Sequence, residues 1–251
     1  MRTRLEAPAK EPPSISAARG VTRRFGDTIA LRDLDLSVRT NEVLAVVGPS
    51  GCGKSTLLEL FAGLQEPDAG TIETSGACAF MPQRDLLLPW RDALSNAGLA
   101  IECAGASRRD ARRAAAPLFE RFGLSDFERA YPAELSGGMR QRVAFLRTLL
   151  AGCPILLLDE PFASLDALTR TGMQEWLADA LASEPRTVVL VTHDVEEALY
   201  LGDRVAVMSP RPGRVVAELA VAIERPRPRR ATVVSPEFTE LRQRAMEALG
   251  C

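Results

Sequence analysis

Residues 43–60 read VLAVV, then GPSGCGKST, then LLEL, and no other stretch restricts the possible folds so tightly. Five apolar, mostly β-branched residues predict a buried strand. Gly48, Gly53, Lys54 and Ser55 then meet the spacing G-x-x-x-x-G-K-[ST], and helix-forming residues follow to Leu60. The glycines have no Cβ. The loop Gly48-Pro49-Ser50-Gly51-Cys52-Gly53 can therefore curl and aim backbone N–H groups inward as an anion nest. A helix opening at Lys54-Ser55-Thr56 points its unpaired N–H groups and positive dipole end at the same anion. Lys54 is expected to reach the β- and γ-phosphates, and the Ser55 hydroxyl to ligate Mg²⁺. Alone, the loop specifies a nucleoside triphosphate and does not separate a kinase from a GTPase, a helicase or a transport ATPase.

The chain's 251 residues suit one large domain, or one domain with a subdomain. Its net charge of −2 gives no reason to expect nucleic acid. Five cysteines (Cys52, Cys78, Cys103, Cys153, Cys251) are dispersed without a C-x-x-C pair, which points to reduced thiols. Cys52 lies inside the phosphate loop, so thiol modification there is expected to block nucleotide. The start, MRTRLEAPAKEPPS, is charged and proline-rich and lacks a secretory pattern; residues 1–13 are expected to be disordered. No apolar run approaches the roughly 18–20 residues that span a bilayer; the longest candidate, Val143 to Leu158, is broken by Arg147 and Pro154.

Strands are expected at Ile15–Val21 and around Leu31–Val38, with Phe25 at the tip of the turn between them. A β-rich start before a phosphate loop suggests a small sheet beside the nucleotide core. There Phe25 either stacks on a base or packs as an ordinary turn aromatic. Short strands at 71–74 and 77–81 follow. Gln83 then leaves the second strand ahead of Leu86-Leu87-Leu88-Pro89-Trp90. It reads either as a strand exit over a packed loop, or as a nucleotide-sensing side chain joined to an apolar patch for a partner. Two or three helices are predicted between Arg91 and Arg129. Ser136, Gly137 and Gly138 precede a helix from Met139 to Leu150, forming a second anion-ready helix start.

Ile155-Leu156-Leu157-Leu158-Asp159-Glu160 is an apolar strand ending in two acids. Such a strand delivers carboxylates to the sheet edge beside the phosphate loop, Asp159 toward Mg²⁺ and Glu160 as a base for water. Ser164-Leu165-Asp166 follows, then a helix through Leu181. A buried strand at 187–191 ends at Thr192-His193-Asp194 and carries the sole histidine. A lone histidine is commonly structural; its place on this edge directs it toward a γ-phosphate. Strands at 204–208 and 214–219 form a hairpin through Pro210-Arg211-Pro212-Gly213. The run Arg225-Pro226-Arg227-Pro228-Arg229-Arg230 reads as a solvated linker, or as a contact to anionic lipid or a partner.

With these residues placed, the chain resembles an ABC transporter ATP-binding subunit from about Ile15 to Leu219. GPSGCGKST is similar to the Walker A loop, Gln83 to the Q-loop glutamine and LSGGMRQR to the family signature. ILLLDE resembles Walker B, Ser164-Leu165-Asp166 the D-loop and His193 the switch histidine. The resemblance implies an α/β fold: a P-loop NTPase ABC-ATPase core with an antiparallel β-subdomain and an inserted helical signature subdomain at about 84–150. The ATPase domain would span 14–222, with a C-terminal basic tail and short helix at 223–251 and no added regulatory domain. It implies ATP and Mg²⁺ as cofactors, with Ser55, Gln83 and Asp159 at the metal, Phe25 on the base, and Lys54, Glu160 and His193 in hydrolysis. It also implies a head-to-tail dimer in which Ser136-Gly137-Gly138 of one ATPase subunit closes the site of the other, and Asp166 communicates between sites. The segment Gln83 to Ala97, with LLPW and Asn96-Ala97, looks like the branch of importers serving nitrate, sulfonates and taurine, and pyrimidine thiamine precursors. By that likeness an integral membrane permease docks on Gln83–Ala97, an extracytoplasmic solute-binding protein feeds it, and the chain sits peripherally on the cytoplasmic face of the membrane. The competing readings are a soluble ABC-type ATPase acting on nucleic acid or the ribosome, an exporter subunit, and a P-loop small-molecule kinase. The last has no use for LSGGMRQR, and the first usually carries two such domains or a long coiled coil.

Overall fold

A computed structural model describes residues 14–163, 165–183 and 186–250. The expected N-terminal tail, Ser164 and Cys251 lie outside them. In chain order the elements are β1 (Ser14–Phe25), β2 (Thr28–Arg39), β3 (Val43–Val47), α1 (Lys54–Phe61), β4 (Ala69–Thr74) and β5 (Cys78–Met81). Then come α2 (Ala93–Ala97), α3 (Leu99–Cys103), α4 (Arg108–Arg121), α5 (Gly137–Leu149), β6 (Ile155–Asp159), α6 (Ala167–Ser183) and β7 (Thr187–Thr192). The last are α7 (Val195–Leu201), β8 (Arg204–Met208), β9 (Val215–Ala220), α8 (Arg229–Thr232) and α9 (Pro236–Leu249).

The core sheet has the order β5-β6-β7-β3-β8-β9, parallel except for β9. Its central strands are covered on both faces, which is why VLAVV, ILLLD and TVVLVT read as unbroken apolar runs. Alternation along the strands divides the core in two. Val43, Ala45 and Val47 join Leu156, Leu158, Val188 and Leu190 against a helical layer that includes Phe119, Phe145, Leu199 and Phe238. Leu44 and Val46 join Leu157, Val189 and Val191 against α1 and a second sheet, ordered β2-β1-β4 and antiparallel. The α/β core with an antiparallel β-subdomain is therefore present as expected.

Two boundaries differ from expectation. Strand β1 runs on to Phe25, so the turn is only Gly26-Asp27. In β2, Leu31 and Leu34 are both buried although they are three positions apart, a spacing that puts residues of a regular strand on opposite faces. Asp33, at φ 48°, sits where the β1–β2 register shifts, and that irregularity restores the inward phase for Leu34, Leu36 and Val38. Helix α5 begins at Gly137, so the two glycines lie in its first turn rather than in an open loop. Between β5 and β6 the inserted helices α2–α5 are tied to α6 by Trp176, which meets Phe122 and Phe145 edge-on at 4.5 and 5.0 Å.

The basic run at 225–230 is not a solvated linker. Arg227 is 6 % exposed. Its Nη1 donates to the carbonyls of Leu199 (3.3 Å), Tyr200 (3.0 Å) and Gly202 (2.7 Å), and its Nε to that of Ile223 (2.9 Å). The last carbonyls of a helix have no intrahelical donor, and this guanidinium supplies one for the end of α7. Burial, then the charge of Arg225, lowers its pKa to about 10. Beyond it, Ser235 caps α9, whose Phe238, Leu241 and Ala245 pack into the main core. The segment 223–249 is thus anchored on the core sheet and its helical layer rather than trailing from it.

Removing this guanidinium strands several buried carbonyls, each costing about 1–3 kcal/mol. Arg227→Ala is expected to lose about 3 kcal/mol in urea unfolding, and roughly 6–12 °C in Tm. A loss under about 1 kcal/mol would show that the run is dispensable, as a linker should be.

Candidate functional site

The parallel strands deliver their C-terminal ends to one edge, where ligands bind in folds of this kind. There β3 ends at the glycine loop, β6 at Asp159-Glu160, β7 at Thr192-His193, and β5 just before Gln83. Gly53 stands at the N-cap of α1 with φ 104°. A Cβ there would lie 2.6 Å from Leu31 Cδ2 and 3.0 Å from the Ala30 carbonyl oxygen, so only glycine lets the loop turn against β2. A cleft of about 550 Å³ opens beside the loop. Phe25, Thr28, Ser50, Gly51, Lys54, Ser55, Thr56, Gln83 and Glu160 line it.

Glu160 is the meeting point. Its φ is 44°, a left-handed conformation uncommon for a side-chain-bearing residue, and its N–H donates to the Val191 carbonyl at 2.9 Å. His193 Nδ1 lies 3.1 Å from Oε2, Gln83 Nε2 donates to Oε2 at 3.4 Å, and Lys54 Nζ is 3.9 Å from Oε1. Lys54 is buried and also donates to the carbonyls of Gly48 (2.8 Å) and Pro49 (3.1 Å). A base candidate, an imidazole, an amide and an ammonium from four separate segments therefore share one point.

Asp159 is buried beside them. Burial raises its pKa, with the charges of Glu160 and Glu59 adding to the effect and Ser55 and Lys54 opposing it. Among the described residues no three His, Cys, Asp or Glu side chains gather into a metal cluster. The Ser55 hydroxyl and Gln83 amide on the cleft, with the Asp159 carboxylate buried behind them, are oxygen donors of the kind Mg²⁺ takes.

Phe25 closes the other end of the cleft, 47 % exposed, with the Arg23 guanidinium 4.9 Å from its ring centroid. It is not packed into the turn. Ser136 caps α5, accepting from Met139 N–H at 3.2 Å, so its hydroxyl and the N–H groups of Gly137 and Gly138 stand at a helix start. Among the described residues lining the cleft, Ser136, Gly137, Gly138 and Asp166 do not appear. Asp166 caps α6 through the N–H groups of Leu168 and Thr169, and hydrogen bonding to the Thr169 side chain, then to these N–H groups, lowers its pKa.

Cys52 lies in the loop, but its thiol is shielded from modification. The thiol is 1 % exposed and packs beneath the loop, and burial raises its pKa. A buried, protonated thiol is a poor nucleophile. Sequence reasoning also missed Arg211, which reaches the cleft from the β8–β9 turn, and Glu197. The Arg-Pro-Gly turn is a signal for the first, and nothing local marks the second. Glu197 is buried on α7 and accepts from Gln174 Nε2 at 2.9 Å, joining α6 to the segment after His193. Burial raises its carboxyl from 4.5 to about 7, against hydrogen bonds from Thr192 and Gln174.

The model for the family described as ABC transporter matches residues 31–163. The formylaminopyrimidine import ATP-binding protein ThiZ of Halalkalibacterium halodurans is 49% identical over 190 residues, covering 75% of this chain and 76% of that protein. The aliphatic sulfonates import ATP-binding protein SsuB 1 of Rhodococcus jostii is 46% identical over 216 residues, 84% of each. An ATP-binding cassette solved as a dimer in a post-hydrolysis state with ADP and Pi has a TM-score of 0.72 and 29% identity, over 83% of this chain and 100% of that one.

Two outcomes are expected. Maleimide should modify exposed Cys103 well before Cys52; equal rates, read by peptide mass spectrometry, would mean that the loop opens. The folded protein keeps the Glu197 proton up to about pH 7, whereas the unfolded chain releases it near 4.5. Its contribution is therefore complete below pH 4.5 and is lost as pH rises through 7. Glu197→Gln should remove that slope and exceed the parent by about 3 kcal/mol at pH 8. Parallel urea-unfolding profiles for the two proteins across this window would refute it.

Proposed function

The chain belongs to the ABC transporter family as an ATP-binding, ATP-hydrolysing subunit, and we propose that it powers uptake of a small solute through a membrane permease. The solute class is a sulfonate, nitrate or a pyrimidine thiamine precursor, as the import proteins similar to it suggest. A solute-binding protein outside the membrane delivers it, and this subunit works peripherally on the cytoplasmic face. No helix among the described residues is long and apolar enough to cross a membrane.

In this reading the base of ATP lies on Phe25 and its phosphates in the loop Gly48–Gly53 at the start of α1. Lys54 exchanges the Gly48 and Pro49 carbonyls for phosphate oxygens. Ser55, Asp159 and Gln83 would hold Mg²⁺, which would supply charge neutralisation on the nucleotide's phosphates. Glu160 orients the attacking water, held in place by His193 and Gln83. Ser136, Gly137 and Gly138 sit on another element, away from their own chain's cleft. They complete the site of a second copy, with Asp166 at the junction.

One observation carries the coupling to a membrane partner. Gln83, bonded to Glu160, continues into a loop that exposes Leu86 (55 %) and Trp90 (70 %). Helix α5 grips that loop. Arg147 donates to the carbonyls of Asp85 (2.6 Å) and Leu86 (2.9 Å), and Arg140 Nε to the Asp85 carboxylate (3.1 Å). Asn96 fixes its far side, bonding both the N–H and the carbonyl of Leu88. Large apolar side chains held rigidly in solvent suit a protein partner.

Glu160→Gln with ATP and Mg²⁺ is expected to form a stable dimer by light scattering and to lose turnover. A strict monomer at saturating ATP would defeat the two-subunit site. Tagged protein from detergent-solubilised native membranes should bring down a multi-span protein, and Leu86→Ser with Trp90→Ser should lose it while still dimerising. Recovery of ribosomal proteins with no membrane protein would overturn the transport assignment.

A further inference from the structure

The glycine loop is approached from its far side by the turn between β8 and β9. That turn is stitched to β2. Gly213 N–H donates to the Ala30 carbonyl at 2.8 Å, and the Gly213 carbonyl accepts from Arg32 N–H at 3.1 Å. Ser209 closes the turn from within, its Oγ donating to the Pro212 carbonyl at 3.1 Å. A Cβ on Gly213 would fall 2.1 Å from the Cys52 carbonyl oxygen, so the turn touches the loop backbone directly. Pro210 and Pro212 flank the residue between them, and proline fixes φ on both sides. That residue, Arg211, lines the same cleft as Phe25, Lys54, Ser55 and Glu160.

The charge balance of the cleft gives Arg211 its significance. The charged side chains lining it are Lys54, Glu160 and Arg211. Glu160 stands 3.9 Å from Lys54 and offsets it. Without Arg211 the side-chain charge at the mouth would be close to zero, although a nucleoside triphosphate is strongly anionic. Arg211 Nε donates to the Gly51 carbonyl at 3.0 Å. Among the described residues it has no carboxylate partner, and it is exposed while lining the cleft. A guanidinium presents a rigid fork that matches phosphate oxygens in pairs, and one fixed in advance loses little entropy on binding.

We propose that Arg211 is a nucleotide-binding residue, a second cation that the proline-flanked turn holds against the phosphate loop to receive the nucleotide's phosphates. This rests on the reading of the cleft as an ATP site. Bound through Nε to Gly51, Arg211 also fixes the loop segment whose N–H groups receive the same anion. Its charge and its hydrogen bond therefore act on one ligand from two directions.

The test measures binding of ATP, ADP and adenosine to the intact chain by calorimetry or competition, with and without Mg²⁺, for the parent, Arg211→Ala and Arg211→Gln. Glutamine keeps a donor for the Gly51 carbonyl and removes the charge. Both variants are expected to bind ATP and ADP roughly tenfold or more weakly, the size of a lost charged hydrogen bond. Adenosine affinity should stay unchanged, and the salt dependence of ATP binding should become shallower. ATP affinity within about twofold of the parent in Arg211→Gln would overturn the proposal. So would an equal loss for adenosine and ATP, which would make the side chain only a strut for the loop. Lys54→Ala run in parallel separates the two failures. If it too leaves ATP binding intact, the ATP reading of the cleft falls; if it abolishes binding while Arg211→Gln does not, this inference alone falls.

Discussion

Strand β7 pairs with β6 on one side and β3 on the other, and every residue of all three is buried. The catalytic edge depends on this pairing. The register aligns Asp159 with Val191 and Val47 with Thr192, so the acids after β6, the histidine after β7 and the loop after β3 emerge at one level. Strands β5 and β8 extend the row, bringing Gln83 and Arg211 to its two ends. A slip of one residue in any strand would turn its side chains to the opposite core and move its terminal residue off the edge. Two separate cores, one on each face, resist such a slip. The chemistry is therefore positioned by apolar residues that never touch it.

The elements that could be read from the sequence are those whose signal is local. VLAVV, ILLLDE and the glycine loop carry their structure in their own composition. Ser136 declares a helix start by its side chain, although it left open that both glycines lie inside the first turn. Contacts across the chain were not legible. Arg227 looks like any arginine in a proline-broken basic run, and only the folded chain brings it to the carbonyls at the end of α7, more than twenty residues back in sequence. Cys52 sits in the glycine loop, and nothing in the spacing shows that its side chain turns under the loop toward Met208 and the core. The φ of Glu160 is likewise invisible to residue type, because a neighbouring strand imposes it through Val191.

The electrostatics of the cleft follow from the same crowding. Lys54 and Glu160 partly neutralise each other, and Lys54 is further occupied by loop carbonyls. In the proposed ATP site an arriving polyphosphate would displace these contacts, so its binding would reorganise the very groups that surround Glu160. The imidazole and the amide on Glu160 differ from the ammonium in this respect. They bond Glu160 rather than the loop carbonyls, so they can keep the carboxylate aimed if Lys54 moves. The positive φ of Glu160 serves the same end, since a carboxylate fixed through its backbone needs fewer side-chain tethers.

Helix α5 joins the two halves of this design. Its N-terminus offers Ser136, Gly137 and Gly138 as an anion-ready turn, and along its flank Arg140 and Arg147 hold the loop that exposes Leu86 and Trp90. The same loop starts at Gln83, whose carbonyl accepts from Gln141 of α5 at 3.4 Å and whose side chain reaches Glu160. A displacement of α5 relative to the core sheet cannot leave the loop behind without breaking bonds to Asp85 and Leu86. Nor can the loop shift freely while Gln83 stays on Glu160. Whatever occupies the helix start and whatever covers the apolar loop therefore act on a common rigid piece, whose other attachment is the carboxylate at the centre of the site. Coupling between the two surfaces then needs no long pathway, because a single helix and some half-dozen hydrogen bonds span the distance.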